Sequence, residues 1–396
     1  MSHNTTDPNP LTADSNTSPS GPLSELPLEH LSEALISSEN LACNVKRIRD
    51  LIGKERKMMG IVKANAYGHD APYIAGCLEK LGVSDFGVAN IEEAIQLRQT
   101  KAIGDNSRIL AFCSPLDSHI PFYLRHNVAM TVTDFRTMHA AAAAAKAANR
   151  LLDVHVKVDT GMGRLGLPPE KAMELLSSVE KNDHLRLEGV YTHFAQSTLS
   201  DDFTCRQTNC FRHLCSEFEH RFRRSVIKHA AGSGAIICQK NAHLDMVRPG
   251  IMLYGYPPDS TTTIDPELRP VMQFQAKIIF IKEVAPGTSI SYNRTWIAPK
   301  RRTIATISAG YADGYHRRLS NRSSVTINGR SYPQAGTVTM DQMMVDLGNA
   351  SRAAVGDTAI LFGWDGPSAA DLADIAGTIS YELLCAVSAR VRRVFI

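Results

Sequence analysis

The 396-residue sequence predicts an α/β fold, in which a (β/α)8 barrel of TIM type is followed by a mainly β C-terminal domain. Eight short apolar runs alternate with amphipathic stretches over residues 29–265, and eight parallel strands are the number that closes such a barrel. Helical patterns become rare over residues 266–396, which predicts a separate β domain. Residues 1–28 are rich in Ser, Asn, Asp and Pro, a composition typical of a disordered polar tail.

The eight runs are the predicted barrel strands, because each is short and most are rich in Val, Ile and Met. In chain order they are Met58–Ala64, Asp85–Ala89, Arg108–Cys113, Ala129–Thr133, Leu152–Val158, Leu187–Tyr191, Val226–Ala230 and Met246–Leu253. Helical spacing separates most of them, as over Ile91–Lys101, Phe135–Arg150 and Pro169–Lys181. An open doubly wound sheet is the alternative, but the first run lacks the glycine-rich turn that should follow it.

Two further groups of strands complete the prediction. A segment at Glu33–Ser37 precedes the first helix, and we expect it in the barrel domain or packed on the C-terminal domain. The C-terminal domain begins with the long run Val271–Val284. It continues with strands at Arg302–Ile307, Ser324–Ile327, Met343–Asp346 and Thr358–Phe362 and a helix at Ala369–Ala376, with turns such as Asn328-Gly329 between them.

The composition argues against several classes of function. The formal net charge of +3 gives no reason to expect binding to nucleic acid or to an anionic membrane. No apolar run reaches the roughly 18 residues of a membrane span. The N-terminal segment lacks the basic start and apolar centre of an export signal, and the eight cysteines are sparse. We therefore expect a cytoplasmic protein with reduced thiols.

Cationic and polar side chains collect at the carboxyl ends of the predicted strands, where barrel enzymes have their active sites. They are Lys63, Lys157, Asp159, Arg164, His193, Ser233 and Arg248. Burying so many cations beside few carboxylates is costly, so an anionic, phosphorylated ligand is expected. The small-residue loop at 230–234 suits a phosphate. Desolvation lowers a lysine pKa, which makes Lys63 a candidate for Schiff-base chemistry.

Several segments are similar to those of the alanine racemases. Val62–His69 resembles their cofactor-attachment segment, and His155–Gly166 resembles their second signature. Tyr191–Phe194, Met246–Ile251, Ile290–Tyr292, Gly310–Gly314, Thr339–Gln342 and Ile379–Glu382 follow in the family's order. The resemblance runs from about Leu35 to the C-terminus. It implies a homodimer that interconverts L- and D-alanine with pyridoxal 5′-phosphate and no metal, and that supplies D-alanine for cell-wall peptidoglycan.

The resemblance also implies a role for individual residues. Lys63 would hold the cofactor as a Schiff base and serve as one catalytic base, and Tyr292 from the neighbouring subunit would be the other. The phosphate would be held by Tyr67, Ser233, Gly250, Ile251 and Tyr381. Arg248 would face the pyridine nitrogen, and with His193 it would provide cationic surroundings for Tyr292. Arg164 would lie at the phenolic oxygen of the cofactor and near the substrate carboxylate, which the Met340 backbone would help to bind. Lys157 would be a possible carbamate, and Asp341 and Tyr311 would be supporting residues.

Four other readings compete with alanine racemisation. A broad-specificity or serine-preferring racemase would share the architecture, and three departures from the family pattern, Gly232, Asn293 and Thr339, bear on substrate range. A non-catalytic protein that binds pyridoxal phosphate would resemble only the barrel. A decarboxylase of this fold would place an acidic residue at the position of Arg248. A scaffolding protein would have no need of Lys63 and Tyr292.

Overall fold

The computed structural model describes residues 29–199, 201–264, 268–349 and 352–396. The polar tail predicted over residues 1–28 lies outside the described residues. Strand β1 (Ser32–Ile36) pairs antiparallel with a long strand of the C-terminal sheet and parallel with the last strand of the chain. The first strand therefore packs on the C-terminal sheet, which was one of the two expected places for it.

Eight parallel strands form the barrel, in the chain order that the apolar runs predict. They are β2 (Lys57–Ile61), β3 (Asp85–Val88), β4 (Arg108–Ala111), β5 (Ala129–Val132), β6 (Leu152–Lys157), β7 (Leu185–Tyr191), β8 (Ile227–His229) and β9 (Met246–Val247). Each pairs with the next from β2 to β8, and β9 pairs with β2. A single bridge between Gly232 and Arg248 joins the remaining gap, so the barrel is nearly closed.

The eighth strand is much shorter than the predicted run Met246–Leu253. It ends at Val247, and Ile251–Tyr254 forms a 3-10 turn instead. Pro249 lacks the N–H that a sheet position would use, and Gly250 turns the chain with φ −115° and ψ −94°. The residues of the 3-10 turn are fully buried, which is why this part of the predicted run is apolar. Apolar composition alone does not distinguish a buried strand from a buried 3-10 turn.

The helices that follow the strands carry the signals expected at their ends. They are α1 (Ser38–Ile52), the short turn α2 (Lys63–Tyr67), α3 (Ala71–Lys80), α4 (Ile91–Gln99), α5 (Ile120–His126), α6 (Phe135–Ala147), α7 (Pro169–Glu180), α8 (Asp202–Phe222), α9 (Ser233–Cys238), α10 (Ala369–Ala376) and α11 (Ser380–Ala386). Asp134 begins α6 with a capping box to Thr137. The same helix ends before the predicted Arg150, because Asn149 adopts φ +48°.

The second sheet is built around β10 (Met272–Val284). The other C-terminal strands are β11 (Ser289–Ile290), β12 (Trp296–Ile297), β13 (Arg302–Ile307), β14 (Ser324–Ile327), β15 (Arg330–Pro333), β16 (Met343–Gly348), β17 (Thr358–Phe362) and β18 (Arg392–Phe395). The order of the second sheet is β15-β14-β17-β10-β1-β18, and β13 pairs with β10 and β16. Strands β11 and β12 form a separate two-stranded sheet. Asn328 and Gly329 both have positive φ in the β14–β15 hairpin, as the predicted turn requires.

Residues 31–396 pack as one unit, and a single hydrophobic cluster runs from the barrel strands into the second sheet. All eight cysteines are free thiols. Among the helices of the described residues, none has the length and apolarity needed to cross a bilayer.

Candidate active site

A cavity of about 220 Å³ lies at the carboxyl ends of the barrel strands. Its lining includes every cofactor-binding residue expected from the sequence, namely Lys63, Tyr67, Arg164, His193, Ser233, Arg248, Gly250, Ile251 and Tyr381. Lys157 also lines it. The lining residues that the sequence reasoning did not single out as ligand contacts are mostly apolar or small, and they include Ile61, Phe112, Leu165 and Tyr191.

Lys63 is presented by an unusual backbone turn. The four residues after it, Ala64 to Tyr67, have φ between 52° and 54°, which is left-handed helical geometry. Such geometry costs roughly 1–2 kcal/mol for each residue other than glycine. Desolvation, together with the nearby Arg164 guanidinium, lowers the pKa of Lys63 below its usual value. The Tyr67 ring at the end of the turn packs against Tyr254, with ring centroids 4.7 Å apart.

Arg248 is buried and is held by four acceptors. Its Nη2 donates to the carbonyl oxygens of Thr192 at 2.8 Å and Ala230 at 3.0 Å, and to His193 Nδ1 at 3.3 Å. Its Nη1 lies 3.1 Å from His229 Nδ1. Burial lowers the pKa of Arg248 to about 10, so it remains a cation at neutral pH. The side chain is therefore a rigid positive group in the wall of the cavity.

A chain of buried histidines continues from Arg248 through the interior of the barrel. His229 Nε2 lies 2.9 Å from His155 Nδ1, and His155 Nε2 lies 3.9 Å from a carboxylate oxygen of Glu188. Burial and the adjacent Arg248 hold the pKa of His229 well below its usual value. Sequence reasoning missed this chain. The only sign of it in the sequence was one polar residue at an inward-facing position of each of two buried strands, β6 and β8.

His193 is neutral, which corrects one expectation. Burial and the neighbouring Arg248 lower the pKa of His193 to about 3. The sequence-based expectation used His193 and Arg248 together as cationic surroundings for a tyrosine. In the structure His193 accepts a hydrogen bond from Arg248, so only the arginine of this pair carries charge.

The end of the cavity near α9 is lined by small residues and backbone. Ser233 Oγ accepts the backbone N–H of Gly250 at 3.0 Å and of Met252 at 3.4 Å. A side chain at position 250 would not fit, because its Cβ would lie 2.4 Å from Tyr67 Oη. By contrast, a Cβ at Gly232 would meet only His193 Cε1, at 3.5 Å. The Gly232 departure from the family pattern is therefore not imposed by lack of space.

Lys157 lies buried at the end of β6. Its Nζ donates to the backbone carbonyl of Val158 at 2.8 Å. Burial lowers the pKa of Lys157 to about 8, and Asp159 opposes this shift only in part. The Asp159 carboxylate instead accepts backbone N–H groups of the following loop at 2.9 to 3.1 Å. A lysine with this pKa is partly an uncharged amine near neutral pH.

The remaining expected site residues lie in turns between the C-terminal strands, and none of them lines the cavity of its own chain. Tyr292 is 67% exposed, Met340 is 52% exposed and Tyr311 is 42% exposed. Asp341 accepts a hydrogen bond from Arg390 at 2.8 Å. These residues form an exposed, partly apolar surface, which we call the Tyr292 surface.

The positive charge of the cavity favours an anionic ligand. Four cationic side chains line it, namely Lys63, Lys157, Arg164 and Arg248, and no Asp or Glu is among the described residues of the lining. Uncompensated cations are unfavourable in a partly buried site, so an anionic group is needed to balance them. Lys63 offers such a ligand an amine of lowered pKa.

The fold and cavity define an α/β-barrel enzyme with a cationic site for an anionic ligand. Residues 36–258 match the alanine racemase N-terminal domain, and residues 271–395 match the alanine racemase C-terminal domain. The chain belongs to the alanine racemase family.

Relatives and solved structures agree with this assignment. The alanine racemase of Chlorobaculum tepidum is 58% identical over 368 residues, which cover 93% of this chain and 96% of the relative. The solved alanine racemase of Clostridium difficile 630 superposes with a TM-score of 0.88 at 36% identity, over 92% of this chain and 95% of that one. The enzyme of Streptomyces coelicolor gives a TM-score of 0.88 at 33% identity, over 92% and 98% of the two chains. The chain is thus an enzyme of the racemase class.

Proposed function

We propose that this enzyme interconverts L-alanine and D-alanine with pyridoxal 5′-phosphate as its cofactor. The observation that carries the proposal is the cavity, which is lined by four cations and, among the described residues, by no carboxylate. Lys63 presents an amine of lowered pKa to this cavity. The relatives are named alanine racemases, which supports alanine as the substrate. The proposal also includes the supply of D-alanine for peptidoglycan and a cytoplasmic location, the latter supported by eight free thiols.

The lining residues suit the parts of this cofactor. Tyr67, Ser233, Tyr381 and the backbone at 250–251 would hold its phosphate. Arg248 would face the ring nitrogen, and because its pKa is about 10 it would donate a hydrogen bond without giving up the proton. When bound, the cofactor supplies a conjugated ring that delocalises the charge left after the substrate loses its Cα proton.

Racemisation needs a proton-transferring group on each side of the substrate Cα. Lys63 would serve one side, since its lowered pKa increases the fraction of neutral amine that can accept a proton. The partner subunit's Tyr292 would serve the other side. A phenol needs nearby cations to act as a base near neutral pH, and Arg164 and Arg248 carry that charge, whereas His193 is neutral.

The same arrangement would bind the substrate carboxylate between two subunits. Arg164 in the cavity and the backbone of the partner subunit's Met340 are the proposed contacts, supported by Asp341 and Tyr311. The exposure of the Tyr292 surface supports a homodimer in which each cavity is completed by the other chain. Lys157 is proposed to carry a carbamate, because carbamate formation requires the neutral amine that a pKa of about 8 favours.

Chiral chromatography of alanine tests the proposal directly. Purified enzyme is incubated with pyridoxal phosphate and L-alanine, and equal amounts of the two enantiomers are expected at equilibrium because their free energies are equal. Lys63→Ala is the control and should produce no D-alanine. L-Serine and L-lysine in parallel reactions distinguish a broad-specificity racemase. Absence of D-alanine from the unmodified enzyme would contradict the proposal.

A further inference from the structure

The left-handed turn α2 has no intrinsic reason to form. Its residues Ala64, Asn65, Ala66 and Tyr67 include no glycine, yet all four have positive φ. L-residues with a Cβ atom adopt this conformation singly and rarely, not four in succession. The turn must therefore be held by groups outside it, and the structure contains such groups at both of its ends.

Glu93 holds the first end of the turn. One carboxylate oxygen accepts the Ala64 N–H at 2.7 Å, and the other accepts the Ala89 N–H at 2.7 Å. Glu93 is itself fixed in the first turn of α4, where its own N–H donates to Asn90 Oδ1 at 3.0 Å. Its carboxylate therefore links the residue after Lys63 to the residue after β3 through two charge-assisted hydrogen bonds.

His69 holds the second end. Its Nδ1 lies 3.0 Å from the Ala66 carbonyl oxygen and 2.9 Å from the Tyr67 carbonyl oxygen. Both partners are acceptors, so Nδ1 carries the proton and donates to them. The ring is fully buried and packs on Tyr254, with centroids 4.6 Å apart. Its position is therefore fixed by the core and not by the turn.

We propose that Glu93 and His69 are positioning residues that hold the two ends of α2 and thereby fix Lys63 relative to Tyr67 in the cavity. This role rests on the proposed function, in which Lys63 is the reactive amine and Tyr67 contacts the phosphate. Neither Glu93 nor His69 lines the cavity, and both hold the turn through its backbone. The Glu93 carboxylate also raises the pKa of Lys63, in part against the effect of burial.

The substitution Glu93→Gln separates this role from a general contribution to folding. An amide presents one oxygen and one NH2 group, so one of the two backbone N–H groups would face a donor instead of an acceptor. The matched control is Glu92→Gln, since Glu92 is the preceding residue of the same helix and is exposed. Both variants are made in the full chain.

Hydrogen exchange of the chain without cofactor is the first measurement. In Glu93→Gln we expect the amides of 62–70 and Ala89 to exchange about tenfold faster, while the other barrel strands keep their protection. The second measurement is the affinity for pyridoxal phosphate by absorbance titration, which should fall about tenfold. The third is turnover, in which kcat should fall about tenfold with the KM for alanine nearly unchanged. Glu92→Gln should match the unmodified enzyme in all three.

Two results would overturn the proposal. One is unchanged exchange over 62–70 together with normal cofactor affinity in Glu93→Gln. The other is a uniform rise of exchange over the whole chain without an excess at the turn, because that describes a general loss of stability. If the unmodified enzyme and Glu92→Gln both fail to racemise alanine, the proposed function is wrong, and the exchange comparison still decides whether the turn is held by Glu93.

Discussion

Mixed dimers give the strongest test of the proposed shared active site. Lys63 reaches the cavity of its own chain, whereas Tyr292 is 67% exposed and does not line that cavity. If each cavity takes its tyrosine from the partner, Lys63→Ala and Tyr292→Phe inactivate different halves of the same site. A dimer that combines the two variants then contains one site with both substitutions and one site with neither.

The expected activity follows from counting sites. Random exchange between equal amounts of the two variants makes about half of the dimers mixed, and each mixed dimer has one intact site of two. The mixture should therefore recover about one quarter of the unmodified activity. Loss of a proton-transferring group lowers turnover by roughly 10²- to 10⁴-fold, so the residual activity of the parent variants is small beside this recovery.

The assay uses two different affinity tags and measures D-alanine formation after the chains are co-expressed. Tandem purification isolates the mixed dimer, which should have about half of the unmodified activity per dimer. A Lys63→Ala chain mixed with an unmodified chain serves as the control for subunit exchange. A mixed dimer no more active than its parents would show that Lys63 and Tyr292 do not meet across subunits, and the shared active site would be refuted.

Two further predictions concern the lining of the cavity. Lys157→Met should stabilise the cofactor-free protein at pH 7 by up to about 3 kcal/mol, because the lysine pKa falls from 10.5 to about 8 on folding and each unit corresponds to about 1.4 kcal/mol. The unfolded chain binds more protons between these values, so this advantage should shrink as the pH rises from about 8 to 10.5. Urea unfolding measures this stabilisation, and a stabilisation that does not change with pH would contradict the lowered pKa of Lys157. Gly232→Asn should tighten pyridoxal phosphate binding by about tenfold, since a Cβ at this position makes only an ordinary contact with His193 and the amide adds a hydrogen-bond donor. An unchanged dissociation constant in absorbance titration would rule out that contribution.

The sequence was sufficient to locate the barrel and most of the cavity. Parallel strands are buried on both faces, so they read as continuous apolar runs, and β2 to β8 lie within two residues of the predicted positions at their starting ends. The position of the cavity could be predicted from these strands, because the carboxyl ends of parallel barrel strands meet at one rim. Lys63, Arg164 and His193 lie at that rim as expected.

The left-handed turn could not be predicted, because of its four residues only Asn65 is of a type that often adopts positive φ. Ala64 and Ala66 are good formers of right-handed helices. One of the groups that hold the turn is Glu93, which accepts a hydrogen bond from the Ala64 N–H although the two residues are 29 positions apart in the sequence. The short elements β15, β18 and α11 were missed for a related reason, since each has too few residues to display a periodic pattern.

The buried histidine chain shows how the barrel keeps Arg248 both ordered and charged. A guanidinium only donates, so His229 Nδ1 accepts from it and the proton of this neutral ring is on Nε2. That proton points to His155 Nδ1, which leaves the His155 proton on Nε2, facing Glu188. Two imidazole rings thus separate the carboxylate from the guanidinium. A carboxylate in direct contact would orient Arg248 equally well but would cancel its charge in the cavity, where the proposed anionic cofactor would be held.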